Sequence, residues 1–160
     1  MVVIVMGVSG SGKTHIGKLL AEAMNLPFHD ADHFHPEANV TKMHQGEALT
    51  DTDRSPWLSI LASHIRQWNQ AQGAVLACSA LKESYRILLS HNYTAAVRFV
   101  YLHGTPALIL SRMRDREHFF PPDLLTSQFK TLEEPEQALW VSIDQTPAAI
   151  VEEIVQKLRV

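Results

Sequence analysis

Apolar residues follow two rhythms along this chain. Short unbroken runs, such as Val2-Val3-Ile4-Val5-Met6, read as strands buried on both faces. Between them, apolar positions recur at three- and four-residue intervals, as in Ile16, Leu19, Leu20, Ala23 and Met24, or Ile150, Ile154, Val155 and Leu158. The pattern predicts five strands, over 2–6, 27–30, 74–78, 97–102 and 139–143, and helices over about 13–24, 57–69, 82–90, 106–116 and 147–158. Their alternation favours an α/β fold with a parallel sheet covered on both faces. Two stretches, 31–56 and 118–135, are rich in charge and proline and fit neither rhythm. Ligands of open α/β sheets lie outside the carboxyl ends of the strands, so these stretches are candidates for a substrate-binding segment (about 31–58) and a lid (about 114–130).

Composition narrows the class. A length of 160 residues is that of one domain, 1–160, and 46% hydrophobic against 19% charged residues is the balance of a folded globular chain. No apolar run approaches the length that crosses a bilayer, and the opening residues lack the basic start and cleavage site of a signal, so a cytoplasmic location without membrane partners is expected. The formal charge of −3 gives no general basic field, so no nucleic-acid partner is expected and any anion site must be local. Cys78 is the single cysteine, at the end of an apolar run, and reads as a small core residue.

The first strand runs straight into Gly7-Val8-Ser9-Gly10-Ser11-Gly12-Lys13-Thr14, a full G-x-x-x-x-G-K-[ST] pattern that opens a helix. Such a turn aims backbone N–H groups at one point, where the helix N-terminus adds partial positive charge. Gly7, Ser9, Gly10, Ser11 and Gly12 are therefore candidates to cradle the phosphates of ATP, with Lys13 reaching the terminal phosphates and Thr14 holding Mg²⁺.

Acids must serve the metal and the acceptor. The third strand ends without an aspartate, in Leu76-Ala77-Cys78-Ser79, whereas the second ends in His29-Asp30-Ala31-Asp32. Two carboxylates one residue apart leave a strand end on the same side. Asp30 is assigned to the metal and Asp32 to the acceptor hydroxyl, as orienting group and proton acceptor; a turn or helix cap is the other use of such a pair. His29, His33 and His35 interleave with these acids, and only His35 is retained, as a substrate contact.

An acidic substrate needs fixed cations. Arg54, beside a helix start that Asp51 or Thr52 could cap, offers a planar fork for a carboxylate. Lys82 and Arg86, at i and i+4, would share a helix face. The alternative for Arg54 and Arg86 is a surface ion pair. Arg112 and Arg116 also share a face, and an arginine carried by a closing segment neutralises charge on a transferred phosphoryl group.

These residues together resemble the bacterial-type gluconokinases, within the shikimate kinase and nucleoside monophosphate kinase group. The resemblance rests on Gly7 to Thr14, Asp30-Ala31-Asp32 with His35-Pro36 and Asn39, Lys42-Met43 and Gly46, the stretch 49–58, the stretch 78–82 with Tyr85-Arg86, and His118-Phe119 with Ser127-Gln128-Phe129 and Leu132-Glu133. It implies a three-layer P-loop kinase fold with a five-stranded parallel sheet of order 2-3-1-4-5, a homodimer, and ATP-dependent phosphorylation of the 6-hydroxyl of D-gluconate. It also implies Asp32 at the acceptor hydroxyl, Arg54 and the Lys82/Arg86 face on the sugar acid, Arg112 near the adenine and Arg116 in the lid. The alternatives are a kinase for another small hydroxy acid, such as shikimate or a close sugar acid, and a regulatory protein that only binds ATP. Shikimate kinases have a glycine-rich turn after strand three, where this chain has Cys78-Ser79-Ala80-Leu81.

Overall fold

The computed structural model describes residues 1–94, 96–114 and 122–159. Arg116, and with it 115–121 of the expected lid, lies outside the described residues. Five strands, β1 (Val2–Met6), β2 (Phe28–Asp30), β3 (Ala74–Ala77), β4 (Val97–His103) and β5 (Leu139–Ser142), form one parallel sheet of order β2-β3-β1-β4-β5. This is the α/β fold and strand order expected.

All five residues of β1 are fully buried, because β1 is central and covered on both faces. Successive side chains alternate, so Val3 and Val5 join the core under α1 (Lys13–Met24) and α7 (Pro147–Leu158). Val2, Ile4 and Met6 join the other core, under α3 (Asp51–Gln70) and α4 (Glu83–Leu89). Each such side chain contributes roughly 1.5–3 kcal/mol by leaving water. The carboxyl end of β1, where the glycine-rich loop begins, is thus fixed by the most deeply buried part of the chain.

The remaining helices are α2 (Glu37–His44), α5 (Pro106–Arg114) and α6 (Pro122–Thr131), and a short 3-10 turn, Ala31–Phe34, follows β2. The two stretches that fitted neither rhythm hold the 3-10 turn, α2, the start of α3, and α6. The largest boundary correction is α3, which begins at Asp51 and not near residue 57. Pro56 lies inside this helix, although proline removes an N–H from the helical ladder. The start is set by a capping box: the Asp53 N–H donates to Thr50 Oγ1 (3.1 Å) and the Thr50 N–H to Asp53 Oδ2 (2.9 Å). Pro56 and Thr52 are exposed, so the carbonyl left without its N–H partner faces solvent. Thr50, and neither Asp51 nor Thr52, is the cap. Among the described residues no helix is long and apolar enough to cross a membrane.

Candidate active site

Between β1 and α1 the chain turns through three glycines at positive φ, Gly7 (φ +150°), Gly10 (φ +83°) and Gly12 (φ +93°). A side chain at Gly10 would also collide with Met113 of α5, its Cβ lying 2.6 Å from Met113 Cγ. Gly12 caps α1 without any side-chain hydrogen bond, so the helix's first amides are not claimed by a cap. Lys13 Nζ donates to the Val8 carbonyl across the loop (3.0 Å), and Ser11 Oγ is buried with no partner among the described residues. A glycine-rich concave turn, an orphaned hydroxyl and a helix N-terminus fit a chain of phosphate oxygens.

The strand order sets β2 beside β3 and β3 beside β1, which brings the carboxyl end of β2 to the loop. Thr14 Oγ1 donates to Asp30 Oδ2 at 3.1 Å, so the expected metal pair is in contact. Their oxygens are the hard donors that suit Mg²⁺. Asp30 also caps the 3-10 turn, its Oδ1 accepting the Asp32 N–H at 3.0 Å. The capping use of the acid pair is therefore present, in a carboxylate whose other oxygen meets Thr14. Asp32 is held above the ordinary carboxylate range, chiefly by desolvation and next by Asp30, while Lys13, His35 and His33 pull the other way. That is the direction a proton acceptor needs.

Asp32 opens into a cavity of about 630 Å³ whose walls include His35, Arg54, Trp57, Tyr85 and Gln128. Trp57 shapes one wall: its Nε1–H donates to the Ala31 carbonyl at 2.8 Å, and its ring stacks on His35 with centroids 4.3 Å apart. His35 Nδ1 lies 3.2 Å from Asn39 Nδ2, whose amide also donates to the Asp53 carbonyl at 2.9 Å. Burial lowers the His35 pKa, with Arg54 acting in the same direction and Asp32 opposing. A neutral imidazole beside the acid is suited to hydrogen-bonding a hydroxyl. His29 instead stacks on Trp68, centroids 4.2 Å apart and planes within 5°.

The cations divide in a way the sequence did not anticipate. Arg54 lines the cavity, with Nη1 3.4 Å from the Tyr85 hydroxyl and 3.9 Å from Asp51 Oδ1. Lys82 and Arg86 do not share a helix face. Lys82 is the extended residue before α4, and its ammonium donates to both Asp51 carboxylate oxygens (2.9 and 3.1 Å). The Tyr85 hydroxyl donates to the same carboxylate, and these two hydrogen bonds hold Asp51 below the usual carboxylate range. Arg86 is 1% exposed. It donates to the Ala80 carbonyl (2.6 Å), the Glu133 carbonyl (2.7 Å) and Glu83 (3.2 Å), so its guanidinium holds the chain together and does not face the cavity walls. This corrects its placement as a substrate contact.

Arg112 lies in the last turn of α5, next to Met113, whose side chain reaches Gly10. Cys78 is fully buried, and burial pushes its thiol up to about 12, which leaves it inert as a nucleophile. Asp51, expected only as a helix cap, and Trp57, Tyr85 and Gln128, expected only as part of the family resemblance, are also built into the site. The capping pattern Thr50-x-x-Asp53 could have placed Asp51, Arg54 and Trp57 in the first turns of α3.

The shikimate kinase family model matches residues 9–159. The gluconokinase of Gluconobacter oxydans is 42% identical over 158 residues, covering 96% of this chain and 88% of the relative. The thermoresistant gluconokinase of Escherichia coli K12 is 38% identical over 164 residues, covering 98% and 92%. The crystal structure of a gluconokinase from Sinorhizobium meliloti superposes with a TM-score of 0.89 at 41% identity, over 99% of this chain and 91% of that one.

Proposed function

From the premise that the chain belongs to the gluconokinase family, we propose that it transfers the terminal phosphoryl group of ATP to the 6-hydroxyl of D-gluconate, giving 6-phospho-D-gluconate and ADP. The loop of Gly7, Ser9, Gly10, Ser11 and Gly12 binds the phosphate chain through its amides. Lys13 exchanges its contact with the Val8 carbonyl for the terminal phosphates. Thr14 and Asp30 would hold Mg²⁺, which when bound neutralises phosphate charge. Asp32 accepts the proton of the acceptor hydroxyl as its oxygen bonds to the terminal phosphorus and the bond to the ADP oxygen breaks. Arg54 and Lys82 bind the carboxylate of the sugar acid, with His35 on its hydroxyls and Arg86 bracing the wall behind them. Arg112 packs by the adenine, and Arg116 closes over the transferred group and excludes water. The family resemblance further supports a cytoplasmic homodimer.

The observation that carries this reading is the single cavity joining Asp32, raised in pKa at the edge of the phosphate loop, to the Arg54 fork. The test is Mg²⁺-dependent ADP release with D-gluconate, idonate, 5-ketogluconate, shikimate and nucleoside monophosphates each offered as acceptor. Stimulation by gluconate, lost in Asp32→Asn, is expected. Preferential stimulation by another acceptor would move the substrate, and nucleotide binding without turnover on any acceptor would overturn the kinase reading.

A further inference from the structure

Helix α6 is fastened at two points. At its middle, Gln128 Oε1 accepts the Ser9 N–H at 2.7 Å and Gln128 Nε2 donates to Ser9 Oγ at 2.9 Å, across 119 residues of sequence. Just past its end, the Glu133 N–H donates to the Leu81 carbonyl (2.8 Å), the Glu83 N–H to Glu133 Oε1 (2.8 Å), and Arg86 to the Glu133 carbonyl (2.7 Å). The helix between these fastenings is a partition. Ser127, Gln128 and Thr131 line the acceptor cavity, whereas Phe129 and Leu132 line a second cavity of about 620 Å³ at the carboxyl ends of β4 and β5.

The middle fastening uses an amide of the phosphate loop. A phosphate oxygen is a charged acceptor, and hydrogen bonds to charged acceptors are roughly twice as strong as those between neutral groups. A phosphate lodged in the loop therefore competes successfully with the Gln128 carbonyl for the Ser9 N–H. The displaced carboxamide already borders the acceptor cavity, where the hydroxyls of a polyol can donate to its oxygen. The terminal fastening keeps the helix in place while this one side chain changes partner.

We propose that Gln128 is a positioning residue that couples the two substrates: phosphate binding at Ser9 turns its carboxamide toward the acceptor, so that a nucleotide with a full phosphate chain strengthens binding of the sugar acid. This rests on the acceptor reading given above. Linkage makes the effect reciprocal, and couplings of this kind are typically 5-fold or more.

Titration calorimetry of D-gluconate into the full-length protein, with and without saturating Mg²⁺ and a non-hydrolysable ATP analogue, reads the coupling directly. The analogue is expected to tighten gluconate binding about 5-fold or more, and the ratio to fall to about one in Gln128→Met, which keeps the side-chain length without the amide. An unchanged ratio in a variant that melts like the wild type overturns the proposal. Should that variant fail to fold, Gln128→Asn, whose amide is one carbon short of Ser9, carries the same expectation. If gluconate binds the wild type under neither condition, the acceptor assignment is what fails. Nucleotides alone then decide the coupling residue: removing Gln128 as competitor should raise the preference for the ATP analogue over AMP severalfold, and an unchanged preference overturns it.

Discussion

The phosphate loop and the acceptor wall face each other across one cleft but are held by different forces. The loop hangs from β1, whose five residues are fully buried, and its shape follows from glycine backbone angles and the packing of Met113 over Gly10. The wall, from the 3-10 turn to the start of α3, is held largely by ion pairs between partly exposed groups, Lys42 to Asp53 (2.7 Å) and Lys82 to Asp51 (2.9 Å), beside the buried Asn39 amide on the Asp53 carbonyl (2.9 Å). Burial is indifferent to pH and salt over ordinary ranges, and ion pairs among half-exposed groups are not. The phosphate loop is accordingly a fixed frame, and the proposed acceptor side is where charge would decide fit.

The largest effect should come where the two sides meet. Asp32→Asn keeps the shape but cannot take a proton, so kcat should fall by about 10²–10⁴ with little change in the KM for ATP. In the proposed reaction Asp32 acts ionised, and since it is held above 3.8, wild-type activity should fall as pH drops through that raised value. The residual activity of the variant should lack this decline. A steady-state pH profile of kcat/KM for both proteins checks it, and an equal decline in the variant would assign the limb to another group.

Next comes Arg86→Met, which sharpens the contrast because a cation expected on the acceptor side belongs to the frame. Its removal leaves the buried Ala80 carbonyl unpaired and frees the end of α6, a loss of stability on the order of 2–4 kcal/mol. Denaturant unfolding measures this, and Arg86→Lys should not rescue it, since one ammonium cannot reproduce the planar fork. Arg54→Met should do the opposite: stability near wild type, KM for gluconate raised about 10- to 100-fold, and KM for ATP nearly unchanged. If Arg54→Met unfolds the protein and Arg86→Met instead raises the gluconate KM, the two assignments are exchanged.

What the sequence made legible follows the same divide. The apolar run 2–6 and the spacing of Gly7, Gly10 and Gly12 are local signals, and the frame was readable from them. The strand order came from the family resemblance, since hydrophobic periodicity does not say which strands are neighbours. On the wall, local rules misled. The apolar spacing of α3 begins only at Trp57, so its polar first turns, opened by the Thr50–Asp53 box, carry no hydrophobic signal. The i, i+4 rule paired Lys82 with Arg86, but Lys82 lies before the helix, and spacing alone does not tell which face turns inward. Gln128 stood out only as part of the family resemblance, and no local pattern told its role, its partner being 119 residues away.

The smallest effect expected tests the wall's dependence on charge. Asp53 is held down at about 2, first by its hydrogen bond from Lys42 and next by the Thr50 N–H, against about 3.8 when unpaired. Between those values the unfolded chain binds more protons than the folded one, so stability falls as pH falls. The contribution of Asp53 is fully present above about 3.8 and is lost as pH drops through about 2. Comparing urea midpoints of wild type and Asp53→Asn should therefore give a constant gap from neutral pH to about pH 4, narrowing below it. Added salt should shrink the gap, since both partners are partly exposed. A gap that stays the same at pH 2.5 and in high salt would mean that the carboxylate's charge does not matter. The wall would then be held by the geometry of the capping box alone, and the contrast with the buried frame would lose its electrostatic basis.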